Sequence, residues 1–282
     1  MRIKPVLWLA PCFAAAFGLL RVFVIVLAAV TLHEMTHVIV GLIFHVRVTK
    51  VIITPLGETA VLKGLDQKNP WVRGAVILAG PAINLIIGFL GLKLFGITDI
   101  TMPEKGFGLG YFFSTNIALG LFNLLPAFPL DGGRLCQLIL GNTIGVTRAN
   151  RIVCRISRVC AILMIPIGII QMILFSYNMS LYLVGIYIIK NLPKEQLRLS
   201  FEFFSYFGSN RRNRHKDIPI KYFAITPSVP LTYLIDCLRW DVFSVFNIYS
   251  NNGMVNSFSE KDLLRYIRNN GLTGRASDIE FY

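Results

Sequence analysis

His33-Glu34-Met35-Thr36-His37 sets two imidazoles four residues apart, with a carboxylate directly after the first. Residues spaced by four share one face of a helix, so both rings can reach a single cation. Imidazole nitrogens suit Zn²⁺, and Glu34 falls beside the metal, where it can take a proton from water. The stretches on either side, Val22–Val30 and Val38–Phe44, are almost wholly apolar. Two histidines and a glutamate inside a membrane-crossing helix are costly, and by default they imply function. The bland alternative is a buried polar cluster that links helices.

A catalytic zinc needs a third protein ligand and an open position. With Glu34 reserved as the base, the best candidate is Asp131, in Asn123-Leu124-Leu125-Pro126-Ala127-Phe128-Pro129-Leu130-Asp131-Gly132-Gly133. This stretch ends an apolar run, and Pro126 and Pro129 break its helix. Irregular backbone at membrane depth is tolerated where protein buries it or water reaches it. Such a break can aim a carboxylate inward. Without the paired histidines the same stretch reads as a proline-rich turn.

These residues need a membrane scaffold to position them. The chain has 282 residues, 54% of them hydrophobic, against about 45–50% in soluble domains. Its mean hydropathy is +0.61. The excess gathers in apolar runs at roughly Pro5–Leu20, Val22–Phe44, Val72–Phe95, Tyr111–Pro126, Ile152–Phe175 and Leu181–Leu192. The expected fold class is a polytopic α-helical membrane protein of about six transmembrane helices. The first run reads as a retained span, not a cleaved signal peptide. Lys and Arg concentrate near the N-terminus, in the Val46–Trp71 and Asp131–Arg151 connections and in the tail, which places both termini in the cytoplasm. Between the first two long runs, Val46–Leu62 alternates β-branched residues about Thr54-Pro55-Leu56-Gly57. This predicts a β-hairpin near the active site, either a plain surface hairpin or an edge that pairs with an extended substrate.

The net charge of +13 is read as the same cytoplasmic bias and attraction to the lipid bilayer, with no nucleic acid as a partner. The five cysteines show no CxxC spacing, so neither a disulfide framework nor a cysteine zinc knuckle is indicated. The glycines at 106, 108 and 110 lack the spacing of a nucleotide-binding loop. The expected domains are a transmembrane metalloprotease domain over 1–192, a basic linker over 193–217 and a small α/β domain over 218–282. In the last of these, Val245–Tyr249 and Met254–Phe258 read as strands about a turn, followed by a helix opening at Ser259.

The intramembrane HExxH followed by Asn-x-x-Pro and Asp-Gly resembles the site-2 protease family over roughly residues 25–140. Ala79-Gly80-Pro81-Ala82-Ile83-Asn84 also looks like an element of that family. Size, the Asn-Leu-Leu-Pro and Pro-Leu-Asp-Gly-Gly strings and a tail that resembles one CBS repeat point to its sporulation branch. The resemblance implies zinc held by His33, His37 and Asp131, with Glu34 as catalytic base and Asn123 near the substrate strand. It implies a membrane-associated protein substrate, a sigma-factor precursor (pro-sigma-K) that loses its pro-segment in the membrane around the forespore. Inhibitory membrane partner proteins are implied as well. For the CBS-like tail it implies nucleotide contacts at Ser259 and Asp262, with ATP as the ligand. Ser-x-x-Asp is equally an ordinary helix cap. A single repeat suggests a homo-oligomer. Rival readings are a site-2-type protease with another substrate, such as an anti-sigma factor, a metal transporter and an inactive scaffold. A transporter does not require the glutamate of the motif.

Overall fold

Apolar runs with few breakers must become helices in lipid, because no water is present to satisfy their backbone groups. The computed structural model of the chain describes residues 20–54, 57–63, 65, 68–96, 109–174, 180–208, 219–250 and 253–279. It divides into two compact units. One runs up to Leu125 and includes Leu130–Gly132; the other comprises Pro126–Pro129 and the chain from Gly133 onward. The expected boundaries near 192 and 218 fall inside the second unit.

The first unit begins with helix α1 (Leu20–Ile43). Its end is closed by backbone bonds from His45 N–H to the Leu42 carbonyl at 2.9 Å and from Val46 N–H to the Gly41 carbonyl at 2.8 Å. This is the Schellman arrangement, in which the residue after the cap turns left-handed. Here that residue is His45, at φ 55°. The turn feeds strands β1 (Arg47–Thr54) and β2 (Gly57–Lys63). They pair antiparallel from Arg47 opposite Lys63 to Thr54 opposite Gly57, with an irregularity between Val48 and Lys50. The hairpin thus lies where the alternation placed it, although the turn residues 55 and 56 are outside the described residues.

Helix α2 (Pro70–Leu94) starts on Pro70, whose fixed φ and missing N–H suit a first helical position. Helix α3 (Leu109–Asn123) packs closely against it. A side chain at Gly88 would meet Ile117 and the Phe113 carbonyl, and one at Gly120 would meet Leu85 and the Pro81 carbonyl. Small residues at such crossings let membrane helices gain packing contacts that lipid cannot match.

In the second unit, helices α4 (Asp131–Ile144), α5 (Val146–Leu174) and α6 (Ser180–Gly208) follow one another. Asp131, the first residue of α4, itself belongs to the first unit. Helices α5 and α6 make a close pair, with Gly168 against Tyr182 and Gly185 against the Ala161 carbonyl. Phe128, fully buried, packs with Val153, Cys154, Leu192 and Leu199. Its backbone N–H donates to Ser157 Oγ at 2.7 Å. Two features differ from the sequence-based expectation. The connection after Asp131 is helical, and α6 runs straight through Pro193 into the basic stretch. The continuation carries its own support: Leu199 and Phe203 are buried, and Arg198 Nε donates to Glu195 at 3.0 Å.

Among the described residues, α1, α2 and α5 are the three helices long and apolar enough to cross a membrane. The fourth and sixth apolar runs are helical too, as α3 and the first part of α6. The first run lies outside the described residues apart from Leu20.

The chain closes with a small module of strand β3 (Ile220–Ile225), short helix α7 (Leu231–Asp236), strands β4 (Phe243–Ser250) and β5 (Gly253–Ser259), and helix α8 (Glu260–Asn270). Strand β4 is central, parallel to β3 and antiparallel to β5. Phe223, Phe246 and Phe258 stack across the three strands at centroid distances of 5.3 and 5.5 Å. Glu260 is buried and accepts the Ser244 N–H at 3.1 Å, which ties α8 to β4.

Candidate metal centre

Helical spacing stacks His33 and His37 on the buried face of α1, at 4% and 8% exposure. The broken segment after α3 delivers Asp131 to the same place, at the first turn of α4. The turn is tight: a side chain at Gly132 would collide with the Leu124 and Leu125 carbonyls. A carboxylate in the first turn of a helix is also favoured by the helix dipole. Asp131 Oδ2 lies 3.0 Å from His33 Nε2 and 3.1 Å from His37 Nε2. The two Nε2 atoms are 3.2 Å apart.

The proton inventory shows what this geometry can hold. His37 Nδ1 lies 2.6 Å from the Val76 carbonyl. A carbonyl only accepts, so Nδ1 carries the proton and the neutral ring presents a bare lone pair at Nε2. That lone pair faces a carboxylate oxygen and a second imidazole nitrogen. With the His33 proton on Nδ1 as well, three acceptors converge on one point, and a cation there resolves their mutual repulsion. With bonds of about 2.0–2.1 Å, two ligands of tetrahedral zinc stand about 3.3 Å apart, close to the separations seen here. The residues therefore fit zinc. His33, His37 and Asp131 are the candidate metal group among the described residues. His33 Nδ1 has no hydrogen-bond partner among the described residues.

Gly80 of α2 completes the cradle. A side chain there would come within 2.7 Å of His33 Nε2 and closer still to His37 Nε2. The space beside the ligand atoms therefore exists because position 80 has no Cβ. The same helix supplies the Val76 carbonyl one turn earlier. Sequence reasoning marked 79–84 only as a family-like element; neither contact to the histidines has a periodic or compositional signature.

The remaining expected site residues fall in three places. Glu34 is half-buried next to His33 on α1. Asn123 is the last residue of α3, half-buried, with its amide donating to the Leu119 carbonyl at 3.0 Å. Ser259 and Asp262 belong to the C-terminal module. There Asp262 Oδ2 accepts from the Ser259 N–H at 3.0 Å and from its hydroxyl at 2.6 Å, and the pair forms a capping box on α8.

The model of peptidase family M50 matches residues 21–105 and 97–166. A zinc metalloprotease of Methanocaldococcus jannaschii is 32% identical over 59% of this chain and 46% of its own length. This chain thus spans about half the length of that curated relative. Stage IV sporulation protein FB of Bacillus subtilis is 24% identical, over 75% of this chain and 73% of its own length. The solved site-2 protease from M. jannaschii superposes with a TM-score of 0.51 at 28% identity, covering 68% of this chain and 84% of the other.

Proposed function

Because the chain belongs to peptidase family M50, and its apolar helices make it an integral membrane protein, we propose that it is a zinc-dependent endopeptidase acting at the membrane. The observation that carries this reading is the convergence of His33, His37 and Asp131 on one point, with the His37 proton turned away to the Val76 carbonyl. His33 and His37 would hold the metal through Nε2, and Asp131 through its carboxylate. When bound, zinc polarises the scissile carbonyl and eases ionisation of water. Glu34 accepts the proton of the attacking water and delivers it to the leaving amine. The Val76 carbonyl keeps His37 in the tautomer that can ligate. Asn123 and the β1–β2 hairpin hold the substrate extended, since helical peptide bonds are shielded.

The substrate in this reading is a membrane-associated protein, and a sporulation sigma-factor precursor is the specific candidate. Support comes from the likeness to stage IV sporulation protein FB and from the β–α–β–β–α order of the C-terminal module, which suits a CBS-like regulatory domain. Both termini lie in the cytoplasm in this reading, on the charge bias. ATP at Ser259 and Asp262 would have to take over the carboxylate oxygen that now caps α8.

The test is co-expression of the wild-type chain or Glu34→Gln with candidate sigma-factor precursors. A shortened product should appear with the wild type and fall by at least about 10²–10⁴-fold with Glu34→Gln, while bound zinc stays at about one per chain. Near wild-type cleavage by Glu34→Gln would remove the general-base role. Metal uptake that survives Glu34→Gln, without any proteolysis by the wild type, would favour a transporter.

A further inference from the structure

A cavity of about 490 Å³ lies in the second unit, where α5 and α6 meet the C-terminal module. One wall carries Arg151, Arg155 and Arg158. Their spacing of four and three places them on a single stripe of α5. The rest of the lining is mixed, with Gln196, Leu199, Ser200 and Phe203 of α6 and Thr232 and Leu272 of the module. The charges are not balanced within the cavity. Its one carboxylate, Asp236, is already bonded to Arg151 at 2.6 Å, to Arg148 at 3.4 Å and to the Thr147 hydroxyl at 2.6 Å. Arg155 and Arg158 are exposed and make no ion pair with a described residue.

The depth of this stripe identifies what it faces. Every charge of α5 lies at or before Arg158, and Val159–Leu174 has none. That uncharged stretch rises about 24 Å, most of the roughly 30 Å hydrocarbon core. The arginines therefore sit at the level of the lipid headgroups. Guanidinium forks match phosphate oxygens, and the same stripe of α5 continues into the apolar stretch at the exposed Ile162, which suits acyl carbons.

We infer that this cavity binds the headgroup of an anionic phospholipid, with its phosphate on Arg155 and Arg158 and its chains leaving along the exposed Val159 and Ile162 of α5. The site is distinct from the His33–His37–Asp131 cluster, and it stands whether or not the chain is a protease. Occupancy would join α5, α6 and the module through one ligand.

The test uses the full chain in neutral detergent, followed by thermal unfolding. The titrants are short-chain phosphatidylglycerol, short-chain phosphatidylcholine and inorganic phosphate. Phosphatidylglycerol should raise Tm saturably and phosphatidylcholine should not. Losing an arginine at the headgroup level weakens anionic-lipid attraction about fivefold, so Arg155→Gln/Arg158→Gln should need about 25-fold more phosphatidylglycerol. Arg265→Gln/Arg268→Gln, on the exposed side of α8, should match the wild type. Arg155→Lys/Arg158→Lys keeps the charge and should fall between, which keeps the test decisive if the glutamine variant folds poorly. Equal response to the two lipids, or an unchanged midpoint in the Arg155/Arg158 variants, would overturn the inference. Inorganic phosphate acting at the same concentration would overturn the lipid and leave free phosphate as the occupant.

Discussion

The cluster at His33, His37 and Asp131 and the pair at Ser259 and Asp262 are both polar groups gathered at a helix, yet their proton inventories differ. In the first, two imidazole nitrogens and a carboxylate oxygen meet within 3.0–3.2 Å, and the one fixed proton points away, to Val76. In the second, the Ser259 N–H and hydroxyl both donate to Asp262 Oδ2. Ligand atoms that converge on one point suit a cation from outside. Donors matched to acceptors within one turn of a helix are explained by the helix itself. A motif in sequence gives residue types and spacing; this difference decides whether the motif is left in need of a ligand.

The largest effects should come from the His33–His37–Asp131 cluster. His33→Ala, His37→Ala and Asp131→Ala should each lose bound zinc, measured by elemental analysis of the purified chain. Retention of about one zinc in all three would break the assignment of the acceptors to a metal. Gly80→Ala sharpens the same point, because it leaves every ligand in place and only fills the space beside them. It should weaken zinc by about 10–100-fold, the usual scale for disturbing a ligand's surroundings. Wild-type affinity in that variant would mean that α2 yields easily and that Gly80 is not part of the cradle.

A third polar cluster lies between these extremes. Asp236 is bonded by Thr147, Arg148 and Arg151, so charges and donors balance. Burial pushes its carboxyl up, but the bonds from Thr147 and Arg151 and the nearby positive charge outweigh it and hold the group below its ordinary value. A lowered native pKa stabilises the fold above the unfolded carboxyl value of about 3.9 and loses that stability as pH falls through the native value. Asp236→Asn should therefore cost about 1–2 kcal/mol at pH 6, because the partner arginines are half exposed. The gap to wild type should close in chemical denaturation as pH drops below about 3.9. A constant gap across that range would show that the cluster acts by packing and not by charge.

The parts of the chain legible in sequence share a cause. The α1 and α2 spans, the hairpin and the His33–His37 pair follow from local periodicity, and the helix break before Asp131 follows from Pro126 and Pro129. What stayed hidden depends on partners distant in sequence. Gly80 is one glycine among 23, and its role appears only when α2 is laid against α1. The linker was expected to begin at 193, and Pro193 lacks the N–H that a helix interior uses. Burial of Leu199 and Phe203 beyond it outweighs one missing bond. The Asp131–Arg151 connection carried the charge of a cytoplasmic loop, but an amphipathic helix carries the same charge. Arg151 was counted with that connection, but Arg155 and Arg158 fell inside the fifth apolar run, and the cavity they line has no sequence signature.

The smallest effect should come from the pair that is already satisfied. Asp262→Ala removes an acceptor for two Ser259 donors and one end of the capping box on α8. Loss of such a cap costs typically about 1 kcal/mol. The loss should be local to the module, because Leu263, Leu264 and Ile267 hold the buried face of α8 independently of its first turn. Hydrogen exchange should therefore quicken over Ser259–Leu263 and leave α1 and α2 unchanged. Asp262→Glu is the matched control, since its longer carboxylate can still reach the Ser259 N–H and should recover part of the protection. The same variants distinguish the cap from a nucleotide site. If capping is the whole role, Asp262→Ala lowers module stability equally with and without ATP. If ATP instead raises wild-type Tm saturably and Asp262→Ala removes that rise, then the carboxylate leaves the cap for a ligand. The pair at Ser259 and Asp262 would then join the metal cluster as a site completed from outside.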